Sequence, residues 1–303
     1  MSRSLRLLVP VLAGVVLSAC GGDDNSSTET TLTIPFAARA GAVDIACGAV
    51  LPALGTTGLS GSIADFAFYL HDVAVLDRNG KSYPVTLDAN DFQDAAGGVA
   101  LLDFQGKTDS CQGADKPVNH EVTGTVSGVK VANITGLSFR VGVPEALNHH
   151  DASLSQPPYN RSGLFWRWQS GHKFMRLDVN PVGKVQLAYD SNGSTESNSW
   201  FFHLGSTGCE GDPATGAVVS CANGNRPAVQ FSSGFSVNNL TGTTVVLDYA
   251  RLVQGANLGQ DAVAPAGCMS GLPDVECVTL FSSLGLPFGT AATAAQSAFY
   301  LAQ

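Results

Sequence analysis

Charged residues are scarce in this chain of 303 residues, and the basic ones are scarcer than the acidic ones. They make up 14% of the sequence, with 16 Lys and Arg against 25 Asp and Glu. No run of Lys and Arg forms a basic patch, and the net charge of −9 repels phosphate groups. Nucleic acid and anionic lipid surfaces are therefore excluded as partners.

The common signatures of catalysis are also missing. The sequence contains no G-x-S-x-G nucleophile motif, no glycine-rich phosphate loop, no H-E-x-x-H zinc motif and no C-x-x-C pair. Neighbouring acids, as in YLHD or NDFQD, are weak indications of a glycosidase in a chain with 25 carboxylates. The sequence therefore predicts a protein that is not an enzyme.

The N-terminal apolar run, residues 7–17, is too short to cross a membrane, because a spanning helix needs roughly 20 apolar residues. It follows Arg3 and Arg6 and ends in Leu-Ser-Ala before Cys20, which is typical of a bacterial lipoprotein signal. We therefore expect a signal peptide over 1–19, a diacylglycerol-modified Cys20 and a flexible polar tether over 20–30. Gly21 in place of aspartate favours the outer membrane, with the lipid as the sole membrane anchor.

Six cysteines follow Cys20, and an even number in an exported chain predicts three disulfides. The preferred pairing joins Cys209 to Cys221, Cys268 to Cys277 and, by remainder, Cys47 to Cys111. Six cysteines allow fifteen pairings, so this pairing is a preference among them. A thiolate metal site is the alternative, and the missing C-x-x-C spacing makes it the weaker one.

Apolar residues alternate along much of the chain with the period of two that is typical of half-buried strands. The first strand, 65–76, alternates Phe66, Phe68 and Leu70 with Tyr69, His71 and Val73. Further strands are predicted over 98–104, 120–131, 136–143, 172–179, 199–204, 228–237 and 243–252, and helix only near 144–148 and 291–301. This pattern predicts one all-β domain over 31–303, an antiparallel β-sandwich with long loops and disulfide staples.

Histidine and tryptophan are few, with six and three residues, and they are the strongest candidates for chemistry. His149 lies in LNHHD, His203 in WFFHLGSTGC and His71 within the first aromatic strand. Imidazole is the commonest nitrogen donor for transition metals, and Asp151 is placed to orient His149. A further pair of candidates, Trp166 and Trp168, would lie on one face of a strand in LFWRWQSGHKF.

Several rare strings occur together in this chain: FAFYLHDVAVLDRNGKSYPVTLD, VALLDF, GLSFRVGVPEALNHHD, LFWRWQSGHKFMRLD, HLGSTGC and CMS. Their order and spacing resemble those of the MbnP-like proteins, the four-cysteine-motif members of the metallo-mystery pair. The resemblance runs from about residue 30 to the C-terminus.

The resemblance implies an exported copper-binding protein that is encoded beside a di-haem cytochrome of the bacterial peroxidase (MbnH) type. In characterised members this partner oxidises a tryptophan to kynurenine, and the protein then binds copper. An indole nitrogen keeps its lone pair in the ring, whereas kynurenine carries an aniline-type amine that can bind a metal. The expected site of modification is therefore Trp166 or Trp168, and the oxidised residue must lie close to the surface.

By match to the family strings, His149 and His203 are the expected copper ligands, with His71 as a third nitrogen donor. His172 stands where the family pattern has tyrosine, so it is not expected to be a ligand. Met269 offers a thioether suited to Cu(I), but a structural methionine beside a disulfide is preferred. Three nitrogen donors suit copper as Cu(I) or Cu(II). The alternative is a metal-free binding or structural lipoprotein whose aromatic strand docks a partner or a glycan.

Overall fold

A computed structural model describes residues 29–303 except Trp168, 190–192, Ser194, 213–216 and 238–241. Cys20, the predicted signal peptide and most of the predicted tether lie outside the described residues. The tether was expected to extend to residue 30, and the first strand already begins at Glu29. No helix among the described residues is both long and apolar enough to cross a bilayer.

The described residues form 23 strands, four short α-helices and two short 3₁₀ helices, Val131–Asn133 and Ser162–Leu164. The strands are β1 (Glu29–Ala40), β2 (Val43–Asp44), β3 (Leu51–Leu54), β4 (Leu59–Asp77), β5 (Ser82–Pro84), β6 (Thr86–Leu87), β7 (Gln93–Asp94), β8 (Val99–Asp103), β9 (Glu121–Ser127), β10 (Ile134–Val141), β11 (Phe165–Arg167), β12 (Gly171–His172), β13 (Met175–Pro181), β14 (Val185–Tyr189), β15 (Glu196–Ser197), β16 (Phe201–Leu204), β17 (Thr207–Asp212), β18 (Ala217–Asn223), β19 (Ala228–Phe231), β20 (Thr244–Asp248), β21 (Gln260–Val263), β22 (Gly267–Cys268) and β23 (Phe299–Ala302). The helices are α1 (Thr108–Cys111), α2 (Glu145–Asn148), α3 (Tyr249–Leu252) and α4 (Cys277–Ser283).

Two large sheets form the frame of the molecule. The first has the order β23-β20-β1-β9-β6, with β2 beside β1. The second has the order β19-β10-β4-β13-β16-β22, with β3, β5 and β8 also paired to β4 and β7 to β8. Among the described strands, the pairs β1–β20, β14–β21 and β16–β22 are parallel and the others antiparallel. The architecture is an all-β, sandwich-like fold, which confirms the predicted fold class.

Aromatic rings join the two sheets in the core. Phe36 of β1 meets Phe139 of β10 with ring centroids 5.7 Å apart, and Phe299 of β23 meets Phe68 of β4 at 6.0 Å. Both pairs are edge-to-face, the geometry in which the positive edge of one ring meets the negative face of the other. Each such pair contributes roughly 0.5–1.5 kcal/mol beyond the area it buries.

The long strand β4 is interrupted by a bulge at Asp72. The register shifts between the pairs Ser138–Ala74 and Arg140–His71, and Asp72 adopts φ +53°. Because one extra residue is inserted, the alternation of faces changes beyond it. Val73, expected opposite Phe66, Phe68 and Leu70, belongs to the same hydrophobic core as these residues, and so does Tyr69.

All three preferred disulfides are present: Cys47–Cys111, Cys209–Cys221 and Cys268–Cys277. Each predicted strand has a counterpart, with ends shifted by a few residues. The strand predicted over 243–252 ends at Asp248, whose carboxylate accepts backbone N–H bonds from Ala250 and Arg251 and so caps α3.

The two helix predictions had different outcomes. The helix near 144–148 is confirmed as α2. The helix predicted over 291–301 is wrong, because Phe299–Ala302 pairs with β20 as an edge strand and Phe299 is buried. The free energy that alanine contributes through its helix propensity is smaller than the free energy gained by burying an aromatic residue in a sheet.

Candidate functional site

The outer face of the second sheet carries a row of polar residues. Register places Ala67 of β4, Arg176 of β13 and His203 of β16 side by side, with Asp65 opposite Asp178. Alternation along each strand sends the intervening apolar residues, Phe66, Leu177 and Phe202, into the core. The charged residues therefore gather on the opposite side.

A long connection lies over this outer face. It comprises residues 142–174, between β10 and β13, and is called the cover segment below. The hydroxyl of Tyr69 donates to the carbonyl of Pro158 at 3.0 Å, and the rings of Tyr69 and Tyr159 stack. The carbonyl of Gly163 accepts hydrogen bonds from Arg176 of β13 at 3.4 Å and from Lys173 at 3.1 Å. The polar outer face is thereby shielded from bulk solvent.

His203 and Asp178 form the best-defined polar pair beneath the cover segment. Nε2 of His203 lies 2.8 Å from Oδ1 of Asp178, and both side chains are buried. The second carboxylate oxygen of Asp178 accepts from Nε of Arg176 at 2.8 Å, and Arg176 also pairs with Asp65 at 3.0 Å. Each oxygen of the buried Asp178 carboxylate therefore has its own hydrogen-bond donor.

Burial controls the protonation of this cluster. It lowers the pKa of His203, although Asp178 opposes the shift, so the imidazole is neutral at pH 7. A neutral ring that donates its Nε2 proton to Asp178 keeps the lone pair on Nδ1, as metal-binding histidines do. Burial also lowers the pKa of Lys173 to about 8 and raises that of Asp65 to about 6.

Trp166 lies on the short strand β11 and is half-buried. Its ring centroid is 6.2 Å from that of His203, and the Lys173 ammonium is 5.8 Å from the same indole. Gly205 makes this approach possible, since a Cβ there would lie 2.5 Å from Cζ3 of Trp166. The expected position of an oxidisable tryptophan near the surface is met by Trp166, whereas Trp168 lies outside the described residues.

Trp166 also lines an open cleft of about 560 Å³. The other lining residues are Arg167, Gln169, Ser170, Ser206, Thr207, Gly208 and Cys209. The cleft therefore brings together the two strings LFWRWQSG and HLGSTGC, which are about 40 residues apart in sequence. Solvent and small solutes have direct access to the indole.

His149 follows α2 and borders the Cys209–Cys221 disulfide. Its Nε2 lies 3.4 Å from Sγ of Cys221 and 3.1 Å from Nδ2 of Asn148. Asn148 is fully buried and also accepts the backbone N–H of His172 at 3.0 Å. This amide therefore fixes both the imidazole of His149 and the entry to β12.

His71 lies in a different charge environment. It is buried, its Nδ1 is 3.2 Å from the carboxylate of Asp72, and burial lowers its pKa, with Arg226 and Arg140 adding to the shift. Two groups of three His, Cys, Asp or Glu ligand atoms lie within 4.8 Å of one another in the described part of the chain. Neither contains His71 or His203, so the three predicted histidine ligands do not converge on one point in this structure.

Asp151 and Met269, the remaining sequence candidates, lie in local turns. The carboxylate of Asp151 accepts from the backbone N–H and hydroxyl of Ser153, both at 2.8 Å. The backbone N–H of Met269 donates to Asp274 at 2.7 Å, next to the Cys268–Cys277 disulfide. The orientation of His149 by Asp151 stays a prediction.

Several residues that shape the site were missed in the sequence. The alternation of charge in MRLD was a usable signal, because Arg176 and Asp178 share the face of a strand whose other face is apolar. Asn148 had no such signal, since its role depends on the contact between two loops. The buried aromatic surroundings of His172, formed by Tyr69, Tyr159 and Phe165, were equally invisible.

Comparison with known proteins places this geometry in a family. The family model of MbnP matches residues 29–270. The solved structure of MbnP from Methylosinus trichosporium is similar, with a TM-score of 0.77 and 29% sequence identity over 90% of this chain and 98% of the other. No curated protein sequence gives a significant match. The residues matched by the family model include the second sheet, the first sheet except β23, the cover segment and the cleft around Trp166, and the chain belongs to the MbnP family.

Proposed function

We propose that this protein is an exported, lipid-anchored copper-binding protein without enzymatic activity, whose metal site is completed when a partner oxidises Trp166 to kynurenine. Membership of the MbnP family supports a copper-handling role related to methanobactin. The observation that carries the proposal is the position of the Trp166 indole, in an open cleft and 6.2 Å from the buried ring of His203. Its location is proposed to be the periplasm or cell surface, with the outer membrane as the anchoring site.

The oxidation requires a partner, and a di-haem cytochrome of the peroxidase type is the proposed one. Two equivalents of peroxide accept four electrons from the indole through the haems and leave as water. The C2–C3 bond of the indole breaks, two water molecules supply the two oxygen atoms that are added, and the four protons released are taken up as the peroxide is reduced. The product is N-formylkynurenine. Hydrolysis then releases formate and frees the aromatic amine. The open cleft gives the partner access to the ring.

His203 is the proposed first ligand of copper. The hydrogen bond from its Nε2 to Asp178 leaves Nδ1 as the donor, and burial keeps the ring neutral. The kynurenine amine at position 166 and His149 are the next proposed donors, with His71 as a further nitrogen ligand. Because the three histidines do not converge in this structure, His149 and His71 have to move toward His203 to share one ion. Neutral nitrogen donors suit copper, which also binds such sites more tightly than zinc.

Peptide mass spectrometry tests the modification directly. Trypsin cuts after Arg161, Arg167 and Lys173, so Trp166 and Trp168 fall in separate peptides, SGLFWR and WQSGHK. In protein matured with its cytochrome partner, we expect one carbon to be replaced by one oxygen in SGLFWR. The same peptide from protein expressed without the partner is the control. Two unmodified tryptophans after maturation would contradict the proposal, and modification of WQSGHK alone would move the site to Trp168.

Copper titration of matured variants tests the ligands. His203→Ala and His149→Ala are each expected to lose tight copper binding, and His71→Ala to weaken it. His150→Ala is the matched control, because His150 is exposed and adjacent to His149. Stoichiometric copper retained in the folded His149→Ala, His203→Ala double variant would remove both residues from the ligand set.

A second function is favoured by the same cleft. An aromatic ring beside the polar side chains of Gln169, Ser170 and Arg167 is also a surface that a glycan or a peptide can occupy. In this alternative the protein binds no metal, and its lipid anchor presents the cleft to a partner. Absence of copper from fully matured protein would favour this alternative.

A further inference from the structure

A second set of metal-binding atoms lies around the Cys209–Cys221 disulfide. The two cysteines are directly opposite each other on the hairpin formed by β17 and β18. Their sulfur atoms and a ring nitrogen of His149 all lie within 4.8 Å of one another, and Nε2 is 3.4 Å from Sγ of Cys221. These residues are half-buried, and Cys209 lines the open cleft.

The distance between Sγ of Cys221 and Nε2 of His149 matches the distance between two ligand atoms bound to one metal ion. With metal–sulfur bonds of about 2.3 Å and metal–nitrogen bonds of about 2.0 Å, tetrahedral angles place the two ligand atoms roughly 3.5 Å apart. The observed 3.4 Å needs no backbone movement to reach that value. Two thiolates of one site lie roughly 3.8 Å apart, so the released sulfurs have to separate, which rotation about χ1 permits.

The imidazole of His149 is held in place for this role. Nδ2 of Asn148 donates to Nε2 at 3.1 Å, which requires the lone pair to be on Nε2, the nitrogen that faces the sulfur atoms. Asn148 itself is buried and bonded to the backbone of His172. Binding of a cation at Nε2 would therefore replace the hydrogen bond from Asn148, and the Glu145 carboxylate lies 3.8 Å from the same nitrogen.

The other two disulfides do not offer the same arrangement. Cys268 and Cys277 are fully buried, and the third group near them is the carboxylate of Asp274. Cys47 and Cys111 belong to neither group of candidate ligands among the described residues. The pairing of an accessible disulfide with an oriented imidazole is therefore specific to Cys209–Cys221.

We propose that reduction of Cys209–Cys221 creates a second metal site, in which two thiolates and Nε2 of His149 bind a thiophilic d¹⁰ cation of the Cu(I) or Zn(II) class. A dithiol supplies the two electrons and two protons and leaves as its own disulfide, while the S–S bond here becomes two thiols. The thiols lose their protons when the metal binds. The fourth position opens toward the cleft. The site shares His149 with the copper site proposed above, but it requires neither kynurenine nor His203.

Cobalt(II) is a spectroscopic probe of this site. Protein expressed without the cytochrome partner is reduced with a phosphine, which takes oxygen from water as the disulfide opens, and the reductant is removed under anaerobic conditions. Differential alkylation and mass spectrometry identify which cysteines are free. We expect Cys209 and Cys221 to be released before the fully buried Cys268 and Cys277, and one equivalent of cobalt to give a thiolate-to-metal charge-transfer band that zinc abolishes. The unreduced protein is expected to show no such band.

Variants show whether cobalt binds at this site or to free thiols elsewhere in the reduced protein. His149→Ala is expected to weaken cobalt binding by roughly tenfold or more, because one of three ligands is lost. His150→Ala leaves the band unchanged, and Cys209→Ser with Cys221→Ser abolishes it. Far-ultraviolet circular dichroism of each reduced protein shows whether the sandwich is intact.

Three results would overturn the proposal. The first is a disulfide that opens only when the protein unfolds. The second is a folded, reduced protein with Cys209 and Cys221 free but no thiolate band. The third is a band of the same affinity in His149→Ala. If His203 proves not to bind copper, the opening of the disulfide, the thiolate band and its dependence on His149 are still expected. A negative result at His203 therefore does not contradict this second proposal.

Discussion

At the scale of single residues, the candidate site depends on how buried polar groups are paired. His203 has an acceptor in Asp178, and Asp178 has a second donor in Arg176. His172 is also fully buried, yet neither of its ring nitrogens has a hydrogen-bond partner among the described residues. The first histidine therefore has a carboxylate that fixes its ring orientation, whereas burial of the second disfavours any positive charge on its ring.

Removing the charge of Asp178 tests the first arrangement. In Asp178→Asn, the side-chain amide can donate to Nε2 of His203, which moves the ring proton to Nδ1 and blocks the proposed ligand atom. We expect copper affinity of the matured protein to fall by roughly 10- to 100-fold. Titration against a chromophoric chelator measures this. Asp115→Asn, at an exposed ion pair with Lys107, is the control and should leave affinity unchanged.

The lowered pKa of His172 predicts that the free energy of unfolding decreases in acid. Burial lowers its pKa to about 4, so below the unfolded value of 6.5 the unfolded chain binds a proton that the folded chain does not. Stability from this residue is therefore complete above pH 6.5 and falls as the pH drops toward 4. The raised pKa of Asp65 acts in the opposite direction, because the folded state holds its proton up to about pH 6.

A phenylalanine at position 172 separates these effects. His172→Phe keeps the aromatic packing and removes the titrating group, so the fall in unfolding free energy between pH 6.5 and 4 should shrink by roughly 1–3 kcal/mol. Urea denaturation at both pH values measures the difference. An equal fall in both proteins would contradict the assigned protonation of His172.

At the scale of elements, the sequence predicted the strands of the sandwich better than the segments that build the site. Strands such as 136–143 bury alternate residues in one core, so their periodicity was visible without knowledge of their neighbours. The cover segment has no such period, because its residues are fixed by contacts with β4, β13 and the β17–β18 hairpin. The strand expected around the tryptophans is accordingly reduced to Phe165–Arg167.

Asn148 is the residue that ties the cover segment to the rest of the site. Asn148→Ala removes the acceptor for the backbone N–H of His172 and the donor to His149 in a fully buried position. We expect a loss of roughly 2–3 kcal/mol of stability and faster proteolysis within residues 142–174. Asn160→Ala, an exposed residue of the same segment, is the matched control. Unchanged proteolysis in Asn148→Ala would show that other contacts hold the segment.

At the scale of the whole molecule, two packed sheets and three disulfides make a rigid frame. The number and compartment of the cysteines were enough to predict the disulfides, because two of the pairs are local in sequence. The long-range pair Cys47–Cys111 closes a loop of 64 residues and joins the region after β2 to α1. The positions of metal ligands could not be predicted in the same way, since three histidines on separate strands do not specify their distances.

The length of the loop that each disulfide closes predicts how much that disulfide contributes to the free energy of unfolding. In the chain-entropy description, closing a loop with a separation of 64 residues contributes roughly 4 kcal/mol, against roughly 3 kcal/mol for a separation of 12. Replacing Cys47 and Cys111 by alanine should therefore lower the unfolding free energy more than the same change at Cys209 and Cys221. Both pairs are half-buried, so packing losses are comparable. Denaturant titration of the two double variants gives the comparison, and the reverse order would contradict the entropic account.

The attachment of the cover segment has a consequence for how such proteins can diverge. The segment leaves from β10 and returns at β13, and both strands are neighbours of β4. Its ends are therefore fixed about 10 Å apart, which is two strand spacings. Changes at the exposed positions between these ends leave the sandwich undisturbed, provided that the core residues Val143, Leu164 and Phe174 are kept. Chains that share this frame can thus change the identity of the bound ion or partner by exchanging one contiguous stretch of sequence.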